Sequence, residues 1–178
     1  TKDFIKFLEK QPIDILVNNA GINKIDKFVE IKESDFDEIL RINLKIPFLL
    51  SQAVIPNMRA NNWGRIINIS SIFGKVSKKQ RASYSASKFG LEGLTKALSA
   101  ELSEFNILAN CVSPGIIETD LTKTILGKEG MSQILNDIPQ KRLGSVEEVA
   151  ELVCWLCGEK NTYITGQNIA VDGGYTIV

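Results

Sequence analysis

The sequence predicts an α/β domain built on a parallel sheet. Three observations carry that prediction. Apolar runs of strand length alternate with longer stretches of helical period along the 178 residues, the pattern of repeated βα units. The strand candidates, Ile13 to Val17, Ile66 to Ile69, Ile107 to Val112 and Ile169 to Val171, are short and apolar, as in strands covered on both faces. No repeat, low-complexity tract or linker rich in proline or glycine divides the chain, so residues 1–178 form one compact unit.

Lys2 to Lys10 reads as the end of a helix, and Ile13 to Val17 as the first strand. Ser34 and Asp37 mark a capped helix start. That helix runs to about Ala60, with Pro47 kinking it. Phe36, Leu40, Asn43 and Leu44 share one side, which makes Asn43 a polar residue on an apolar face. The next strand, Ile66 to Ile69, ends in the hydroxyls of Ser70 and Ser71, and a long helix follows from Ser83 to Ser103 with small residues near its start. Ile107 to Val112 is the third strand. Thr119 to Asp137 is less regular and is expected to form a mobile flap. Ser145 and Glu148 open another helix with a capping box, and Gly158 closes it. Ile169 to Val171 is the last strand.

Composition narrows the functions open to such a domain. Lysine plus arginine and aspartate plus glutamate both number 21, so charge balance gives no reason to expect nucleic acid or an anionic membrane as partner. No apolar run approaches the roughly 20 residues of a membrane span, and the start shows no secretory signal pattern. There is no histidine, which excludes serine–histidine–acid hydrolysis and histidine-bound zinc within one chain. No metal site is expected. Three cysteines make no disulfide framework and point to a reducing, cytoplasmic setting. Cys154 and Cys157 form a C-x-x-C pair inside an amphipathic helix, where packing explains them more simply than redox chemistry. Cys111 reads as core.

Tyr84-Ser-Ala-Ser-Lys88 carries the chemistry, with Ser71 thirteen residues before the tyrosine. A free phenol, with pKa about 10, is a poor acid or base near neutrality. A lysine four residues on along a helix lies one turn away on the same face, where its ammonium favours the phenolate. Such a pair can pass a proton to or from a substrate oxygen. A serine hydroxyl nearby can hold that oxygen in place.

The context around the pair is a family pattern. Asn18-Asn-Ala-Gly21 follows the first strand, Asn43 lies in a helix, Arg65 to Ser71 is a strand ending in hydroxyls, Ser113-Pro-Gly115 follows the third strand and Val171-Asp-Gly-Gly174 the fourth. From about residue 1 to Val178 this order and spacing resemble the short-chain dehydrogenase/reductase family. The resemblance implies a Rossmann-like, doubly wound parallel sheet and an NADP- or NAD-dependent oxidoreductase. It implies Tyr84 as general acid/base, with Lys88 lowering its pKa and bonding the nicotinamide ribose. Ser71 rather than Ser70 positions the substrate oxygen, and Asn43 holds a water that relays protons from Lys88. Asn18, Ala20 and Gly21 line the cofactor together with Tyr84, Lys88, Pro114, Gly115, Ile117 and Thr119. Asp172 to Gly174 is a structural turn near a subunit interface, in a homo-oligomer (dimer or tetramer).

The family's Gly-rich phosphate loop after its first strand has no counterpart here. The resemblance therefore implies three further strands upstream, roughly 70–80 residues at about 30 per βαβ unit. It leaves the Ile13 to Val17 strand as an exposed edge, and implies a longer natural protein. Within the family, Arg142-Leu-Gly-Ser-Val-Glu-Glu-Val149 and Gly166 to Asp172 are most similar to the 3-oxoacyl-[acyl-carrier-protein] reductase branch. Asn62 and Phe105 stand where that branch tends to carry basic residues, although Arg59 and Arg65 are close by. Sugar, polyol and small-ketone reductases of the same family are the alternative, and an inactive assembly or binding module is the alternative of another class. Lys75, Lys78, Lys79 and Arg81 replace the glycines common in this loop. They read either as a solvated loop or as a patch for an anionic substrate.

Overall fold

The computed structural model describes residues 2–119, 122, 130 and 132–178. Its strands are β1 (Ile15–Asn18), β2 (Gly64–Ile69), β3 (Ile107–Pro114) and β4 (Asn168–Val171). All pair in parallel, in the order β1-β2-β3-β4. The main helices are α1 (Lys2–Leu8), α2 (Glu33–Leu40), α3 (Ile46–Asn61), α4 (Ala82–Leu102) and α5 (Val146–Cys157). Because strand side chains alternate between faces, the sheet builds two cores. On one face Ile66, Ile107 and Ala109 pack with Val54 and Met58 of α3 and Leu102 of α4. On the other, Ile67 and Val112 pack with Leu156 of α5.

The two central strands are almost wholly buried, as expected for a doubly covered sheet. β1 departs from that pattern: Ile15 is 44% exposed and Val17 40%. It lies at the sheet edge, pairing only with β2 among the described residues.

The second predicted helix differs in two ways. Its N-cap is Lys32, without a side-chain cap bond, so Ser34 and Asp37 lie inside it. Its irregularity is a π turn at Arg41–Lys45, between α2 and α3, rather than a simple kink. Pro47 lacks the N–H that would bond the Asn43 carbonyl four residues back. The ladder widens just upstream, where the Ile46 N–H reaches the Arg41 carbonyl. The whole segment, Glu33–Asn61, is long and apolar enough to cross a bilayer by length and composition. Here its buried Ile39, Val54 and Met58 face the protein interior.

The capping box of Ser145 and Glu148 is present, and Gly158 is the C-cap. Cys111 is buried. Of the C-x-x-C pair, Cys157 packs on the second core while Cys154 is exposed. Much of the expected flap lies outside the described residues, and 132–137 are helical.

Candidate active site

Parallel strands end on one side of the sheet, and open α/β sheets present their ligand crevice at those carboxyl ends. β2 delivers Ser70 and Ser71 there, and their side chains go different ways. The Ser70 hydroxyl turns to the α4 backbone, 3.4 Å from the Lys88 carbonyl. Ser71 opens a 3-10 turn, its Oγ accepting from the Phe73 N–H at 3.2 Å. Gly74 lets this turn lie against α4, since a Cβ there would stand 2.6 Å from Ser70 Oγ and 3.2 Å from the Lys88 backbone.

Tyr84 and Lys88 sit one helical turn apart on α4. Lys88 is 4% exposed. Its Nζ donates to the Ile69 carbonyl at 2.8 Å and lies 5.5 Å from the centre of the Tyr84 ring. Burial disfavours the ammonium and lowers the Lys88 pKa to about 8. Burial also raises the Tyr84 pKa, while the Ser71 side chain and the Arg81 guanidinium pull it down. Lys88 gives one of its three N–H donors to Ile69 and keeps two others, while Ser71 and Arg81 are the groups that offset the desolvation of the phenol in the free protein.

Asn43 is 1% exposed and sits in the π turn. Its amide brackets the Ile22 peptide: Oδ1 accepts from the Ile22 N–H at 2.9 Å, and Nδ2 donates to the Ile22 carbonyl at 2.9 Å. Nδ2 also donates to Ser87 Oγ at 3.0 Å. Ser87 in turn donates to the Tyr84 carbonyl at 2.7 Å. One residue thus ties the loop after β1 to the tyrosine helix. A Cβ on Gly21 would lie 3.4 Å from Asn43 Oδ1 and 3.5 Å from Lys88 Nζ, so Gly21, Asn43 and Lys88 converge.

The residues expected at a cofactor form a more open lip. Ala20 and Gly21 are exposed. Asn19, Pro114 and Ile117 line an apolar cleft with Val17, Ile69 and the α5 residues Val149 and Val153. Gly115 packs edge-on to the Asp172 backbone, where a Cβ would stand 2.7 Å from its Cα. Thr119 is exposed and bonds Thr122, 2.9 Å between hydroxyls. Asn18 is buried, donating to Asn68 Oδ1 at 2.8 Å, while its own Oδ1 has no partner among the described residues. A buried acceptor left free and an apolar slot of this kind fit the nicotinamide end of a dinucleotide. Asp172 accepts from Gly174 N–H and from Thr176, consistent with a turn.

Several contributors escaped the sequence. Asn68 donates to Thr95 Oγ1 at 2.8 Å, and Thr95 donates to the Leu91 carbonyl, so a polar thread runs from Asn18 into α4. An asparagine inside an apolar strand was the available signal for Asn68. Nothing marked Thr95. Among the described residues no group of histidine, cysteine or carboxylate side chains could hold a metal.

The family described as Enoyl-(Acyl carrier protein) reductase matches residues 4–176. The 3-oxoacyl-[acyl-carrier-protein] reductase FabG of Aquifex aeolicus (strain VF5) is 46% identical over 162 residues, covering 91% of this chain and 65% of its own length. A gluconate 5-dehydrogenase from Burkholderia cenocepacia J2315, solved with NADP and tartrate, superposes with a TM-score of 0.91 at 33% identity, over 98% of this chain and 69% of its own. A 4-hydroxyisoleucine dehydrogenase complexed with NADH gives a TM-score of 0.93 at 34% identity, over 99% and 74%. The chain thus spans about two thirds of the length of the Aquifex relative.

Proposed function

Because this chain belongs to the short-chain dehydrogenase/reductase family, we propose that it carries the proton-handling site of an NADP- or NAD-dependent oxidoreductase interconverting a carbonyl and a secondary alcohol. The observation that carries this reading is the convergence of Ser71, Tyr84 and Lys88 with Asn43 at the carboxyl end of the sheet. A bound nicotinamide dinucleotide would supply or accept the hydride at carbon.

In the reducing direction the Tyr84 hydroxyl gives its proton to the carbonyl oxygen, and Ser71 donates a hydrogen bond to that same oxygen. Burial keeps the phenol protonated but also makes it a weaker acid than usual, so the step depends on groups that stabilise the phenolate as the proton leaves. Lys88 stands ready to stabilise the resulting phenolate. With a pKa of about 8, it also exchanges protons near the working pH. Asn43 fixes the Gly21–Ile22 loop against α4 and supports a water that passes protons to Lys88. Asn18, Ala20, Gly21, Pro114, Gly115, Ile117 and Thr119 would hold the nicotinamide end.

A 3-oxoacyl-[acyl-carrier-protein] reductase is the substrate reading supported by the identity to the Aquifex relative; the likeness to the gluconate enzyme supports a small polyol or keto acid instead. A homo-oligomer built through α4 and the C-terminal strand fits the exposed Phe89 of α4 and the exposed Ile177 and Val178 that follow that strand, and a cytoplasmic location fits the three free cysteines.

The test is to follow oxidation of NADPH and NADH by the full-length protein with a 3-oxoacyl thioester, ethyl 3-oxobutanoate and 5-ketogluconate. Turnover of at least one is expected. Cofactor binding without any turnover would favour a binding module.

A further inference from the structure

Arg81, three residues before Tyr84, is the one member of the basic loop drawn into the site. Its guanidinium carbon lies 5.3 Å from the centre of the Phe73 ring, and that ring meets Tyr84 edge-to-face with centroids 6.5 Å apart. Phe73 is buried and Arg81 half-buried, so the cation is held on an aromatic shelf beside the phenol whose charge it influences. Yet it has no hydrogen bond from its side chain and no ion pair among the described residues. This contrasts with buried Arg65, which donates to the Gly64, Asn106 and Asn161 carbonyls, and with Arg142, which forks onto Glu148.

Helix stability does not explain Arg81. It is the N-cap residue of α4 and makes no side-chain cap, and a cation is disfavoured at that end of a helix. Nor does the loop or the start of α4 carry an acid to answer it. From Ser71 to Leu91 the chain has Lys75, Lys78, Lys79, Arg81 and Lys88 and no aspartate or glutamate. Glu92 lies next in sequence, but it is engaged by Lys96 and Asn168. A planar, partly desolvated fork whose donors are uncommitted among the described residues is suited to a carboxylate, which it can take with two parallel bonds.

We propose that Arg81 determines substrate specificity, binding a carboxylate carried by the carbonyl substrate, so that the site favours oxo acids over their neutral esters or thioesters. This rests on the assignment of Tyr84 as the proton donor. Phe73 touches both groups, its ring centre 5.3 Å from the guanidinium carbon and 6.5 Å from the Tyr84 ring centre, so a small oxo acid can present its carboxylate to one and its carbonyl to the other. Lys78 and Lys79 are exposed and add a long-range positive field that draws anions toward the loop.

The experiment compares 3-oxobutanoate with ethyl 3-oxobutanoate as substrates of the full-length protein, its Arg81→Gln variant and its Arg81→Lys variant. The acid should be the better substrate of the wild type. Arg81→Gln should raise KM for the acid about tenfold more than for the ester, the order of one lost charge-assisted contact, with the effect falling on KM rather than kcat. Arg81→Lys should recover part of the preference. An equal loss for acid and ester, or a wild type indifferent to the carboxylate, would overturn the proposal.

A binding arm separates this from failure of the reaction itself. With NADP present, 3-hydroxybutanoate should raise the melting temperature of the wild type and not of Arg81→Gln. If neither probe is turned over but that difference persists, Arg81 is an anion site and the reductase reading falls. If the two proteins respond alike, the Arg81 proposal falls.

Discussion

The two sides of the crevice are built differently. The β2–α4 side is closed and cross-braced: Asn43, Ser71 and Lys88 are all buried, and Lys88, Asn43 and Ser87 each hold a defined partner. The β1 side is open. Val17, Asn19, Ala20 and Gly21 are exposed, and Asn18 keeps a free acceptor. Proton transfer needs donors held to within a few tenths of an ångström in a dry setting, which buried hydrogen bonds provide. A surface that receives a large ligand needs space and uncommitted polar groups. Changes on the braced side should therefore reduce catalysis sharply, and changes on the open side should alter binding mildly.

The sharpest break of that contrast is Lys88→Met. Activity should fall about 100-fold or more, as for loss of a group acting in proton transfer. The fold should gain rather than lose, because a buried cation disappears. At pH 7 the melting temperature should rise by about 2–4 °C, for a gain on the order of 1 kcal/mol in a domain of this size. The wild type should also become more stable as pH rises from about 8 toward the ordinary lysine value of 10.5. Over that range the unfolded chain keeps a proton that the folded one has released. Thermal melts at stepped pH check both statements, and Lys88→Met should flatten the slope.

Asn43→Ala comes next. It leaves the Ile22 peptide and Ser87 without their amide partner, a cost of about 1–3 kcal/mol, read by urea denaturation. Turnover should drop about tenfold, by loss of a group that orients others.

On the open side, Gly21→Ala sharpens the comparison. Its new methyl meets Asn43 and Lys88 at ordinary contact distance, so stability should hold while KM for the nicotinamide cofactor rises by about three- to tenfold, the scale of a small steric misfit. The smallest effect belongs to Lys78→Ala with Lys79→Ala. KM for an anionic substrate should rise by less than about threefold at low salt and by nothing measurable at high ionic strength, because exposed charges are screened.

Much of this was legible in the sequence, for a physical reason. Strand and helix periods expose β2, β3 and α4, and the Tyr84–Lys88 spacing needs only a helix to bring both side chains to one face. The π turn was not legible: Pro47 signals an interruption, but whether the helix kinks or widens depends on what the freed carbonyls meet. The division of labour around Tyr84 was also hidden. Spacing places Lys88 near the phenol, but only the packed structure shows its Nζ donating to Ile69 and Arg81 lying on Phe73. Exposure of β1 depends on which strands flank it, a property of the sheet rather than of Ile15 to Asn18.

Tyr84→Phe in the full-length protein tests the central claim most directly, with NADPH binding followed by fluorescence and carbonyl reduction followed by NADPH oxidation. Binding should stay near the wild-type level while turnover falls by about 10²- to 10⁴-fold, the usual contribution of a positioned acid. Turnover retained by the phenylalanine variant would contradict the assignment of Tyr84 as the proton donor. Loss of binding in step with turnover would contradict the separation between a braced proton site and an open cofactor lip.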